Sequence, residues 1–238
     1  MYKRQADTPA SWLEGVAVGM AAECAPFGAA VVGGDTSASA PDSAAVVLSV
    51  TALGDLGGRA PVLRSGARPG DVLAVAGRLG WSACGLAVLQ RGFRSPAAAV
   101  AAHRRPAPPY AAGPQAADAG ATAMCDVSDG LLADAGHLAV ASAVRIDLDV
   151  AALRTAFVAP PGPLQQVAAA LGGDPLAWVL TGGEDHALVA TFLPGAPLPE
   201  GWARIGAVDA GTGVHVDGVP ADRFAAEMGG TPGHVHFG

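Results

Sequence analysis

Charge is scarce in this sequence: of 238 residues only 15% are Asp, Glu, Lys or Arg, and aromatic residues make up 5%. The formal charge of −7 argues against a general nucleic-acid binder, which carries a basic surface to neutralise phosphates. A chain of this balance that handles phosphate must concentrate its cations locally, as metal ions or a few arginines. Cysteine is rare as well. Cys24, Cys84 and Cys125 form no CxxC or Cys/His cluster, and their odd number suggests reduced thiols rather than a disulfide framework. A cytoplasmic location is expected. Long hydrophobic runs are missing too: 51% of the residues are hydrophobic, yet Gly, Pro or charge breaks each run well short of the roughly 20 residues a bilayer span requires. Met1 to Gln5 carry no charged-then-apolar leader, so no membrane partner is expected. No Lys-Ser/Thr pair of the P-loop kind and no Gly-x-Ser-x-Gly elbow occurs, which removes the commonest nucleotide and hydrolase signatures. The close pair His234 and His236 has no third ligand nearby in sequence, which argues against zinc.

What is present is an alternation of short apolar runs with glycine-rich breaks. Trp12, Leu13, Val16 and Met20 are spaced for an amphipathic helix over 9–25, and Pro26 and Gly28 end it. Runs at 29–32 and 44–53 read as strands around a turn-rich loop. The stretch 54–70 has no apolar period and reads as a linker or domain crossing. Beyond it, strands are expected at 72–76, 122–125, 144–150, 178–180, 187–192, 203–208 and 214–216, with helices at 82–90, 131–142 and 164–171. Residues 94–110 should give a short helix and a proline-stiffened loop. The fold class expected is α+β: a partial N-terminal α/β domain over 1–60, one helix and two strands, then a mixed-sheet C-terminal domain over 61–238.

Four motifs could carry chemistry. Gly33-Gly34-Asp35-Thr36 follows an apolar run; glycine allows close backbone approach and the carboxylate suits a hard cation, although the same residues also make a plain turn. Asp126-Val127-Ser128-Asp129-Gly130 joins a strand to a helix, where phosphate or a metal–phosphate complex can settle on the helix amino end. Ser128 or Asp129 as a simple helix cap is the alternative, and it leaves Asp126 unexplained. Thr181-Gly182-Gly183-Glu184-Asp185 places adjacent carboxylates where a cationic substrate, water or metal would fit, with a hairpin turn as the alternative. Arg64-Ser65-Gly66-Ala67-Arg68 offers guanidinium forks for phosphate oxygens, or a pair of solvated linker arginines.

In this order the four motifs, with Pro69-Gly70-Asp71 after the arginines and Leu131-Leu132-Ala133-Asp134 after the second, resemble those of the thiamine-monophosphate kinases. That family lies in a superfamily with aminoimidazole ribonucleotide synthetase and selenophosphate synthetase. The resemblance runs from Trp12 to the C-terminus. It implies ATP-dependent phosphorylation of thiamine monophosphate to thiamine diphosphate, with magnesium between the nucleotide and the acceptor phosphate. Asp35, Asp126 and Asp129 would be metal ligands; Gly34, Asp35, Arg64 and Ser128 would contact ATP. Glu184 would face the positively charged thiazolium, and His234 stands where the family carries an aromatic residue against thiamine. The resemblance names no side chain as a covalent catalyst, and it implies homodimers among full-length relatives. The family's opening glycine–acid motif, its Ser-Thr-Asp motif with a substrate histidine and a further helical aspartate do not precede Trp12. The chain is therefore expected to be N-terminally truncated, and a catalytically impaired nucleotide-binding remnant or a related ATP-dependent synthetase are the alternatives.

Overall fold

Contacts divide the chain into two units, Met1–Gly57 and Gly58–Gly238, and the computed structural model describes residues 2–4, 8–38, 46–159 and 161–228. His234 lies outside the described residues. In the first unit β1 (Tyr2–Arg4) pairs parallel with β2 (Thr36–Ala38) and antiparallel with β3 (Val47–Leu48), and α1 (Ala10–Cys24) intervenes. The run at 29–32, expected as a strand, is irregular and exposed, and the pairing falls to residues 36–38 instead. β1 carries no alternation of its own, so its role comes from its two neighbours. Among residues 8–37 and 46–57 none is buried, and Val32 and Leu53 are 96% and 93% exposed.

The second unit runs β4 (Val72–Ala76), α2 (Trp81–Gln90), α3 (Ala97–Arg104), α4 (Ala112–Asp118), β5 (Ala123–Val127), α5 (Leu131–Ser142) and β6 (Arg145–Leu148). It continues with α6 (Val150–Leu153), α7 (Pro163–Leu171), α8 (Pro175–Thr181), β7 (Ala187–Phe192), β8 (Trp202–Asp209), β9 (Gly213–Val216), β10 (Val219–Pro220) and α9 (Ala221–Glu227). Its described strands form one mixed sheet in the order β10-β9-β6-β8-β4-β7-β5, antiparallel except for the β6–β9 pair. The expected strand at 178–180 is instead part of α8. Asp174 caps that helix by accepting from Leu176 N at 2.9 Å, and Pro175 opens it, so cap and proline decide a run too short for periodicity to decide. No helix among the described residues is long and apolar enough to cross a membrane.

The sheet's two faces are built differently. Leu73, Val75, Cys125, Val127, Val189 and Ile205 point to the face covered by helices, where Leu131, Leu132, Ala135 and Leu138 of α5 complete the main core. Ala74, Ala76, Ala190 and Phe192 point the other way and meet α4 through Ala112 and Ala116. Alternation along each strand makes this division. A register shift between Leu73 and Ala74 against β8 leaves Ile205 as an extra residue. Ile205 and Val208 therefore reach the same face despite their odd spacing. The outer edge of β5 is not bare: Leu63 O accepts from Met124 N at 3.1 Å, and a Cβ on Gly66 would lie 1.8 Å from Thr122 O. The segment bearing Arg64 thus covers the sheet edge, and only glycine permits so close an approach.

Candidate functional site

The strand β5 and the helix α5 are joined by three residues, and the chemistry concentrates there. On β5 the side chains alternate, so Cys125 and Val127 enter the core while Met124 and Asp126 face outward on the sparsely covered side; Asp126 is exposed. After the strand, Ser128 and Asp129 are half-buried and Gly130 has φ 120°. Neither Ser128 nor Asp129 caps α5. Its cap comes from within the first turn: Asp134 Oδ2 accepts from Asp129 N at 2.9 Å and from Gly130 N at 3.2 Å. Sequence reasoning placed phosphate on these amides, and the structure instead gives two of them to a carboxylate. Burial pushes the Asp134 carboxyl above the ordinary range, the Asp129 charge adds to this, and the two amides hold it back.

Ligand atoms of Asp129, Asp134 and His137 lie within 4.8 Å of one another. Magnesium prefers oxygen ligands and keeps several waters, so Asp129, with Asp126 outside this trio, provides the donors that fit it. His137 suits a softer ion. Sequence reasoning assigned no role to His137 or Asp134; their i, i+3 spacing on one helix face was the available signal.

A second loop is pressed onto the first. Glu184 N donates to Ser128 O at 2.8 Å, and a Cβ on Gly183 would sit 2.3 Å from the same oxygen. A Cβ on Gly130 would in turn lie 2.7 Å from Thr181 O. Gly183 and Gly130 therefore serve mutual contact of the two loops. Glu184 and His186 take φ values of 66° and 52°, rare for residues with side chains, and their carboxylate and imidazole stand 3.8 Å apart. The adjacent carboxylates do not act alike: Glu184 is exposed, whereas Asp185 is 5% exposed and turns inward. Its Oδ1 accepts from Ser82 N at 2.9 Å, at the start of α2.

Arg64 is exposed, and Ser142 at the end of α5 holds its segment, donating to Arg64 O at 2.9 Å and accepting from Ala67 N at 3.1 Å. Burial pushes the Cys125 thiol up to about 12, Asp134 and Asp126 add to the rise, and the charge and hydrogen bond of Arg64 oppose it. This places Arg64 beside Cys125 of β5. Gly34 and Asp35 belong to the first unit, exposed in the irregular stretch before β2. Beside Asp126 and His186 opens a cavity of about 540 Å³ walled by Pro108, Pro109, Tyr110, Met124 and Leu188. Its one signal in the sequence is the stiff proline loop.

Burial raises the Asp185 carboxyl from 3.8 to about 6, against the amides of Ser82, Trp81 and Gly80 and the charge of Arg78. The folded state therefore holds this proton more tightly than the unfolded state. Its contribution to stability is greatest in acid and is lost as pH rises from about 4 through about 6. Asp185→Asn should accordingly gain stability relative to the native protein, by of the order of 2 kcal/mol, between about pH 4.5 and pH 7. Urea melts of both proteins at the two pH values measure this difference, and a pH-independent difference would refute the buried, raised carboxyl.

Residues 3–56 match the family model described as AIR synthase related protein, N-terminal domain. The thiamine-monophosphate kinase of Mycobacterium tuberculosis is 52% identical over 214 residues, covering 90% of this chain and 61% of that protein. The Corynebacterium glutamicum enzyme of the same name is 41% identical, covering 84% of this chain and 59% of that protein. Among solved structures, AaThiL complexed with AMPPCP and TMP superposes with a TM-score of 0.78 at 28% identity, over 98% of this chain and 72% of that one. The chain spans about three-fifths of the length of these curated relatives. By sequence over nine-tenths of its length and by fold over nearly all of it, the chain is similar to thiamine-monophosphate kinases.

Proposed function

We propose that this chain transfers the terminal phosphoryl group of ATP to the phosphate of thiamine monophosphate, giving thiamine diphosphate and ADP. One observation carries the reading. The loop that bears Ser128 and Asp129 is locked to the loop that bears Glu184, through the 2.8 Å bond from Glu184 N to Ser128 O. A carboxylate suited to magnesium and a hydroxyl suited to phosphate thus share a rigid base with a carboxylate suited to a fixed organic cation. The complex of AaThiL with AMPPCP and TMP supports the same pairing of ligands.

In this reading Asp126 and Asp129 hold magnesium, and Arg64 and the Ser128 hydroxyl contact the nucleotide; Gly34 and Asp35 are assigned to nucleotide and metal on the family resemblance alone. Magnesium, when bound, neutralises phosphate charge and orients the oxygens for in-line displacement. The protein needs no covalent nucleophile. Its work is positioning: Asp134 fixes the 128–130 loop through two amides, and Glu184 offers its charge to the thiazolium. His234 is assigned to the thiamine end on the family resemblance alone.

Glu184→Gln keeps the side chain's shape and removes its charge. The Michaelis constant for thiamine monophosphate should rise about tenfold with little change for ATP, the pattern of lost ground-state binding. Steady-state kinetics with each substrate varied in turn would show it. An equal rise for both substrates would remove Glu184 from the thiamine end.

A further inference from the structure

The loop of 181–186 must hold two residues in left-handed conformations, Glu184 at φ 66° and His186 at φ 52°. Such conformations persist only where the surroundings over-determine them. Between them stands Asp185, 5% exposed. Its Oδ1 accepts from the Ser82 amide at 2.9 Å and the amides of Trp81 and Gly80 also face the carboxyl, while its buried Oδ2 makes no hydrogen bond of normal geometry. A buried carboxylate with one oxygen unmatched is costly to keep, and a neutral turn residue would suit stability better. Ser82, the second residue of α2, is tied further by its Oγ to His103 Nδ1 at 3.0 Å. The anchor point is therefore rigid. On the other side of the turn the Glu184 amide grips Ser128 O at 2.8 Å.

We infer that Asp185 is a positioning residue: seated on the amino end of α2, it fixes the turn that aims Glu184 outward and, through the Glu184 amide, fixes the Ser128 loop. The functional part of this inference rests on the reading of Glu184 as the residue facing thiamine. Asp185 touches no reacting atom. It acts through the backbone of its neighbours, so a carboxylate that costs stability is retained where the site needs a defined turn.

The test uses Asp185→Ala and Asp185→Asn, read by deuterium exchange and by kinetics. Asp185→Ala should raise uptake in the peptides covering 181–187 and 126–131 while leaving β4 protected, and should raise the Michaelis constant for thiamine monophosphate about tenfold more than that for ATP. Asp185→Asn keeps an acceptor for the Ser82 amide and should restore both protection and the Michaelis constant. Unchanged local protection in the alanine variant, or an asparagine variant as loose as the alanine one, overturns the inference. If the alanine variant does not fold, exchange of the native protein decides: the Ser82 amide should be slow although first-turn amides lack helical partners, and fast exchange there overturns the anchor. A native chain that phosphorylates nothing would refute the kinase reading and leave the exchange result to judge the anchor.

Discussion

Replacing Asp126 or Asp129 by asparagine is expected to cut phosphorylation of thiamine monophosphate about a hundredfold or more, the scale of loss when a preorganised electrostatic group is removed. Asparagine preserves shape and removes the charge that a metal ion requires. Added magnesium should recover part of the rate, since weaker binding is offset by mass action. Asp126 is exposed on the outward side of β5, so thermal melting of its variant should match the native protein. Asp129 shares its surroundings with Asp134 and His137, so its variant is read by turnover and magnesium dependence. Stability held and turnover lost is the combination that identifies ligands. If both variants keep native turnover and magnesium dependence, the two aspartates are turn formers and the kinase assignment fails.

Gly183→Ala should damage both stability and rate, because the added Cβ would stand 2.3 Å from Ser128 O and 3.2 Å from Asp129 Cα. Both neighbours are backbone, which cannot swing aside as a long side chain would. The two loops must separate, breaking the bond from Glu184 N to Ser128 O and displacing Asp129. A loss of about 2–4 kcal/mol is expected, the range for overpacking combined with a broken hydrogen bond. Gly173→Ala is the control, with nothing within 4 Å of its added Cβ; its effect should stay within about 0.5 kcal/mol. Urea unfolding of both variants separates the cases. If they lose equal stability, the loops are not packed as described.

The strands at the centre of the second unit were legible because they are apolar and bounded by breaks: β4 and β7 occupy the expected residues, and so does α5. Elements decided by partners rather than by their own pattern were not. β1 is a polar tripeptide held by two neighbours, and α8 hides a helix in three apolar residues that looked extended. The site divides in the same way. Motif order pointed to Asp126, Ser128, Asp129 and Glu184, and the structure brings the loops bearing Ser128 and Glu184 into contact. The inward turn of Asp185 was not legible, because its partner Ser82 is 103 residues distant in sequence. Nor was the identity of the cap on α5, since Asp134 lies inside the helix and reaches back to residues before it.

That back-reaching cap bears on the order in which the site can fill. With the amides of Asp129 and Gly130 already held by Asp134, two donors that a bare polyphosphate would seek are occupied, and the side chains around them are acidic. Such a surface repels uncomplexed ATP and accepts the nucleotide once its charge is neutralised. On the kinase reading the rate should therefore follow the concentration of magnesium–ATP, and nucleotide added in excess of magnesium should withdraw the ion and slow the reaction instead of competing for the pocket.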